Sequence, residues 1–193
     1  MSVITVEGPS IQMPTTAIAD DDLYEVIDGK RVGARPMGIF SVLLASDLLQ
    51  YLGAFVRTNR LGRVVSEGLF HLPAPINRDR RPDVAFVSYS RWPKNRSVPR
   101  SDNAWDVVPN LAVEVVSPWD NVEELEQKIA EYFRVGVELV WVVYPSQSKI
   151  HVLVGLTQIQ VLTTTDVLDG QTVLPGFRLN VSELFAEPAE NSP

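Results

Sequence analysis

The sequence contains no cysteine and only two histidines, His71 and His151. The first absence excludes disulfides, thiolate zinc sites and cysteine catalysis. The second argues against serine hydrolysis, because neither histidine is placed to activate Ser66 or Ser117. There is also no glycine-rich phosphate loop, no internal repeat and no low-complexity tract. No apolar run reads as long enough to cross a membrane. The start, Met1-Ser2-Val3-Ile4-Thr5-Val6-Glu7, lacks the basic and apolar parts of a secretion signal. The expectation is a soluble, cytoplasmic protein that does not engage membranes.

Positive charge is scarce as well. Seventeen Lys and Arg face 24 Asp and Glu, a net charge of −7 with a pI near 4.8, which taken alone argues against nucleic-acid binding. The distribution is uneven, however. Residues 78–100 hold Arg78, Arg80, Arg81, Arg91, Lys94, Arg96 and Arg100 against Asp79 and Asp83, a local +5 in a chain whose remainder is −12. Such a segment reads equally as a phosphate-facing rim or as a solvated arginine-rich loop.

What is present is enough apolar residue, 45% of 193, for one core. We expect an arm over 1–19, one domain over 20–186 and a polar tail over 187–193. Asp28-Gly29 between Leu23–Ile27 and Lys30–Val32 predicts a hairpin with a type I′ turn. A helix is expected over Phe40–Arg60, on a stripe of Val42, Leu43, Leu48, Leu49, Leu52, Phe55 and Val56, closed by Gly62. One strand is expected over Arg63–Leu72. Pro82–Ser88 and Val107–Val116 are valine-rich, nearly unbroken apolar runs, the pattern of strands buried on both faces. A helix follows over 121–135, ended by Gly136, then strands over 138–144, 149–154 and 158–163. Asp169-Gly170 is expected to begin a turn toward Leu174–Leu179, with a short helix near Ser182. This order gives an α/β or α+β domain with a mixed central β-sheet, flanked by helices, and one helical crossover.

Two acids stand out against this apolar background. Asp83 opens the first valine-rich strand; Glu114 sits inside Leu111-Ala112-Val113-Glu114-Val115-Val116, where a charge is costly unless paired or metal-bound. Lys128 is the one basic residue between Asp120 and Phe133, at the edge of a helical face made by Val122, Leu125, Ile129 and Tyr132; Glu123, Glu124 and Glu131 point away from that face. Two carboxylates and a backbone carbonyl, from Val115 or Val116, suffice to hold Mg²⁺ or Mn²⁺. A lysine beside them would stabilise charge developing on a phosphate. Trp92, Trp105 and Trp119 border this region, with packing the simpler role for each.

Pro82-Asp83, Glu114-Val115-Val116 and Lys128 resemble the PD-(D/E)XK nuclease superfamily. More closely, they resemble its Uma-type family of restriction-endonuclease-like proteins. The shared features run from Tyr24-Glu25-Val26-Ile27-Asp28-Gly29 through Arg81-Pro82-Asp83-Val84 and Pro109–Pro118 to Lys128, Tyr132, Gly136, Val140-Trp141-Val142-Val143 and Leu174-Pro175-Gly176-Phe177. The superfamily's lysine normally stands two residues after the strand acid, where this chain has Val116; in the Uma-type family it lies on the next helix, which Lys128 matches. A histidine common early in that family's long helix is missing from Gly38-Ile39-Phe40-Ser41. The resemblance implies a restriction-endonuclease-like core and a metal-dependent endonuclease cutting DNA. It implies Asp83, Glu114, Lys128 and Glu25 as site residues, with Asp83, Glu114 and Val115 on the metal. Two other readings stay open: the same fold binding nucleic acid or a protein without cleaving, and an assembly protein whose sheet edges pair into a homodimer.

Overall fold

The computed structural model describes residues 23–186; the expected arm over 1–19 and tail over 187–193 lie outside the described residues. The chain opens with β1 (Tyr24–Ile27) and β2 (Lys30–Gly33), joined as expected through Asp28 at φ 51° and Gly29 at φ 75°. Positive φ at both central positions is what a type I′ turn requires, and Asp-Gly is among the few pairs that supply it cheaply.

Helix α1 (Ile39–Thr58) buries Ser41, Leu44, Leu48, Leu52 and Val56, a strict every-fourth-residue stripe below Ser41. Val42 and Leu43, expected in that stripe, instead face outward at 40% and 54% exposure. By length and composition α1 could cross a membrane, its mean hydropathy being 1.7, so the expectation of no such run is corrected. Its buried stripe packs on the sheet.

The single strand expected over 63–72 is two, β3 (Gly62–Ser66) and β4 (Phe70–Leu72), which belong to different sheets. Glu67 separates them in the left-handed region at φ 48°, turning the chain out of the first sheet. Next comes β5 (Arg78–Arg80), which has no apolar pattern to announce it. The central pair follows, β6 (Val84–Ser88) and β7 (Leu111–Val115), then α2 (Val122–Val135). The Asn121 side chain caps α2 by accepting from the N–H groups of Glu123 and Glu124, and Gly136 ends it at φ 97°. Strands β8 (Leu139–Tyr144), β9 (Lys149–Gly155), β10 (Gln158–Leu162), β11 (Val167–Gly170) and β12 (Leu174–Asn180) precede a terminal turn of helix, α3 (Val181–Leu184). Asp169-Gly170 begins a turn as expected, the Val173 N–H donating to the Gly170 carbonyl at 3.1 Å. It is also the irregular end of β11, where pairing with β12 shifts register.

The central sheet has the order β10-β9-β8-β7-β6-β3 and is antiparallel except where β7 lies parallel to β8, the pair that α2 connects. A four-stranded sheet, β2-β1-β5-β4, stands beside it. Strands β6 to β8 are buried on both faces, which explains their unbroken apolar reading. On one face α1 packs against Val84, Phe86, Leu111, Val113, Val115, Trp141 and Val143. On the other, α2 lays Ile129 and Tyr132 over Ala112, Val140 and Val142. Glu114 projects to that second face, and this is what puts it under α2.

Gly136→Ala forces a Cβ into the left-handed conformation at the end of α2. Chemical denaturation should show a loss of about 1 kcal/mol, with secondary structure retained.

Candidate active site

Glu114 occupies the α2-facing side of the central strand β7 and is 7% exposed. Two residues one helical turn apart on α2 close over it. Tyr132 Oη donates to Glu114 Oε1 at 2.8 Å, and Lys128 Nζ donates to Oε2 at 2.9 Å. The i, i+4 spacing gives both side chains the same strand residue as a target. Lys128 is more than the edge lysine its helical position suggests. Its ammonium also donates to the Arg81 carbonyl at 2.8 Å and pairs with Glu25 Oε1 at 2.9 Å. Three donors thus meet three acceptors.

Asp83 stands one residue before β6, and continuing the β6–β7 register one step past Val84↔Val113 sets it opposite Glu114. Its Oδ2 accepts from the Val115 N–H at 2.6 Å. Val115 and Val116 both line the same cleft as Asp83, and the Val116 carbonyl accepts from Ser41 Oγ at 3.2 Å. The cleft, of about 830 Å³, is lined by Glu25, Asp83, Glu114 and Lys128 together with Arg80 and Arg35. All four expected side chains therefore share one cavity.

A chain of alternating charges supports this site. Glu25 Oε1 accepts from the Arg81 N–H at 2.8 Å and its Oε2 from Arg80 Nη1 at 2.6 Å. Arg80 Nε reaches Glu131 Oε2 at 2.7 Å, Arg78 pairs with the other Glu131 oxygen, and Arg78 Nη2 meets Asp28 Oδ1 at 2.7 Å. Glu131, expected to point away, is 5% exposed and sits between two arginines. The proposed phosphate rim is corrected at three positions, since Arg78 and Arg80 hold carboxylates inside the fold. Arg91 likewise binds Glu138 and the carbonyls of Val108, Pro109 and Gly136. Sequence reading missed Arg80, Glu131 and Tyr132 as site residues. The signals were there: Arg78 and Arg80 alternate as one strand face must, and Glu131 and Tyr132 follow Lys128 by three and four.

The charges perturb one another. Burial pushes Glu114 up to about 8, with Lys128 opposing and the Asp83 and Glu25 charges adding. Burial likewise lifts Asp83 to about 6, against the pull of Lys128 and the Val115 N–H. For Glu25 burial acts upward too, but Lys128, Arg80 and the Arg81 N–H outweigh it and hold the carboxylate below its ordinary value. Lys128 loses ground to burial, yet the surrounding carboxylates keep its proton bound above the normal lysine range. Tyr132 is raised by burial and then by Glu114.

Among the described residues no three carboxylate or histidine side chains converge into a ready-made metal cage. The donor chemistry nonetheless fits a hard cation. Asp83 and Glu114 are neighbouring carboxylates whose proton affinity burial raises, and oxygen donors with bound waters are what Mg²⁺ or Mn²⁺ takes. Each Glu114 oxygen accepts one hydrogen bond and keeps a further lone pair. The tryptophans take no part in the cleft lining. Trp92 and Trp105 pack edge to face at 5.3 Å with Phe70 stacked at 5.9 Å, whereas Trp119 is 62% exposed. His71 Nδ1 lies 2.8 Å from Asp79 Oδ1, and His151 packs on Tyr144.

Residues 11–182 match the family described as "Uma2: Putative restriction endonuclease". No curated protein matches the chain. Among solved structures, the fold is similar to that titled "a putative nuclease belonging to DUF820" from Anabaena variabilis ATCC 29413. The TM-score is 0.72 at 19% identity, over 84% of this chain and 89% of that one.

Two outcomes follow from the charge network. Arg80→Met leaves Glu25 and Glu131 buried and short of a partner, so urea denaturation should show a loss of about 3–5 kcal/mol. The folded chain also holds protons on Asp83 and Glu114 that the unfolded chain releases near pH 4. Folded protein therefore binds more protons between about pH 4 and 8, and stability of the metal-free protein falls as pH rises through that window. Thermal melts from pH 5 to 8.5 should decline by several degrees, and Asp83→Asn should flatten the lower part of that decline.

Proposed function

The chain belongs to the Uma2 family, and from that premise we propose that it is a divalent-metal-dependent endodeoxyribonuclease hydrolysing DNA phosphodiester bonds. One observation carries the reading: a buried lysine bridging two glutamates at the base of a cleft, with an aspartate opposite on the neighbouring strand. Such a constellation is costly to fold and is explained by chemistry done on an anion.

Asp83, Glu114 and the Val115 carbonyl would hold Mg²⁺ or Mn²⁺. When bound, the cation supplies Lewis-acid polarisation of the phosphate and a water of lowered pKa. Lys128 supplies a permanent positive charge, fixed by Glu25 and Glu114, for the negative charge that builds on the phosphate. Glu25 orients that ammonium and is itself held by Arg80. Tyr132 fixes Glu114 in its rotamer. A cytoplasmic location is part of the same reading. A homodimer is part of the reading, for which β10 offers an open sheet edge with Ile159 and Val161 exposed.

A second reading rests on the same network: with every Lys128 donor engaged, the fold would bind nucleic acid or a protein without cutting. The test is incubation of supercoiled plasmid with Mg²⁺ or Mn²⁺. Wild type should nick it, and Lys128→Met should lose at least 100-fold in rate, on the scale of removing one charge-stabilising donor. Intact plasmid with a folded protein would transfer the assignment to the binding module. Mg²⁺ should also raise the melting temperature of wild type and leave that of Asp83→Asn unmoved.

A further inference from the structure

A second cavity lies away from the cleft, at the opposite end of both α1 and β6. Asp83 stands just before β6 and Tyr89 just after it, a separation of about 20 Å at strand rise. The cavity, of about 420 Å³, is lined by Gly53, Val56, Arg57, Arg60, Gly62, Arg63, Val64, Tyr89 and Lys94. Four of these nine are cationic and none is acidic, in a chain carrying −7 overall. The contrast is with the arginines that tie the fold internally. Arg35, Arg78, Arg80 and Arg91 each hold a carboxylate. Among the described residues no carboxylate pairs with Arg57, Arg60, Arg63 or Lys94.

One of the arginines is also placed at some cost. Arg60 adopts φ 55° in the turn between α1 and β3, a left-handed conformation that glycine or asparagine takes more readily. Arg63 is positioned by the Tyr89 ring, its guanidinium carbon 5.2 Å from the centroid, and its Nη1 donates to the Trp92 carbonyl at 3.4 Å. Arg57 lies in the last turn of α1. Like charges gathered around one hollow repel one another, and an anion in the hollow reverses that term.

We propose that this cavity is a second phosphate-binding site, which grips the phosphodiester backbone of the DNA substrate at a distance from the cut. The inference rests on the nuclease reading and extends it. Phosphate contacts of this kind set register and affinity without reading bases. They also give an acidic protein a local surface on which to hold a polyanion.

The experiment is fluorescence anisotropy of a 30-base-pair duplex in EDTA, titrated with protein between 50 and 200 mM salt. Three proteins are compared: wild type, the triple variant Arg57→Gln/Arg60→Gln/Lys94→Gln, and a charge-matched control, Arg134→Gln/Lys149→Gln/Arg178→Gln. Each is first shown to be folded by circular dichroism. Removing three phosphate contacts should weaken binding roughly tenfold or more and reduce the slope of log K against log salt by about 2–3, with the control near wild type. Equal affinity and slope for wild type and the cavity variant would overturn the inference, as would an equal loss in the control. If wild type cuts plasmid while the cavity variant binds unchanged, this site alone falls. If wild type neither binds nor cuts DNA, the nuclease reading falls with it.

Discussion

The site depends on one buried ammonium. Among the described residues Lys128 is the only cation that touches both Glu25 and Glu114, and it does so where burial penalises every charge involved. Without it, Glu114 would lose its ion pair and Glu25 would keep only Arg80. With it, the sheet and its covering helix are tied at one point, because Glu25 lies on β1, Glu114 on β7 and Lys128 on α2. The carbonyl of Arg81 completes the set, so the segment that delivers Asp83 is anchored to the same atom. Fold and site are therefore coupled: what positions the acids also holds the four-stranded sheet against the central one.

That coupling continues outward through Arg80, Glu131 and Arg78 to the turn residue Asp28. A buried ion chain of this sort is weak evidence for stability, since apolar residues of similar volume often do as well. What it provides is orientation. Glu25 is gripped on both oxygens and Lys128 on all three protons, which leaves Glu114 with Lys128 alone and Asp83 with no ion pair among the described residues. Their raised affinity for protons is the mark of a place where a divalent cation would be stabilising.

Much of this was legible in the sequence, for physical reasons. An acid inside an unbroken valine run has few bland explanations, and Glu114 was found that way. Asp-Gly at 28–29 dictated its own turn, and Asn121 and Gly136 marked the limits of α2. The failures have causes too. Val42 and Leu43 were placed on the buried face of α1 because apolar residues outnumber the positions that face the sheet; the stripe is set by Leu44, Leu48, Leu52 and Val56. The Arg78–Arg80 strand carries no apolar signal, so its pairing with Glu131 across 51 residues of sequence could not be read locally. Counting arginines as surface charge then made a solvated rim of groups that are internal ties. The cationic hollow at Arg57, Arg60, Arg63 and Lys94 assembles from α1, β3 and the loop after β6, and no single stretch announces it.

The central claim is that Asp83 and Glu114 form a cation site kept short of charge by burial. Isothermal titration of Mn²⁺ into the protein at pH 7, repeated in buffers of different ionisation enthalpy, tests it directly. With Glu114 titrating at about 8, binding at pH 7 should release about one proton, falling toward none near pH 9. Binding with no proton release at pH 7, or no binding at all, would contradict the account.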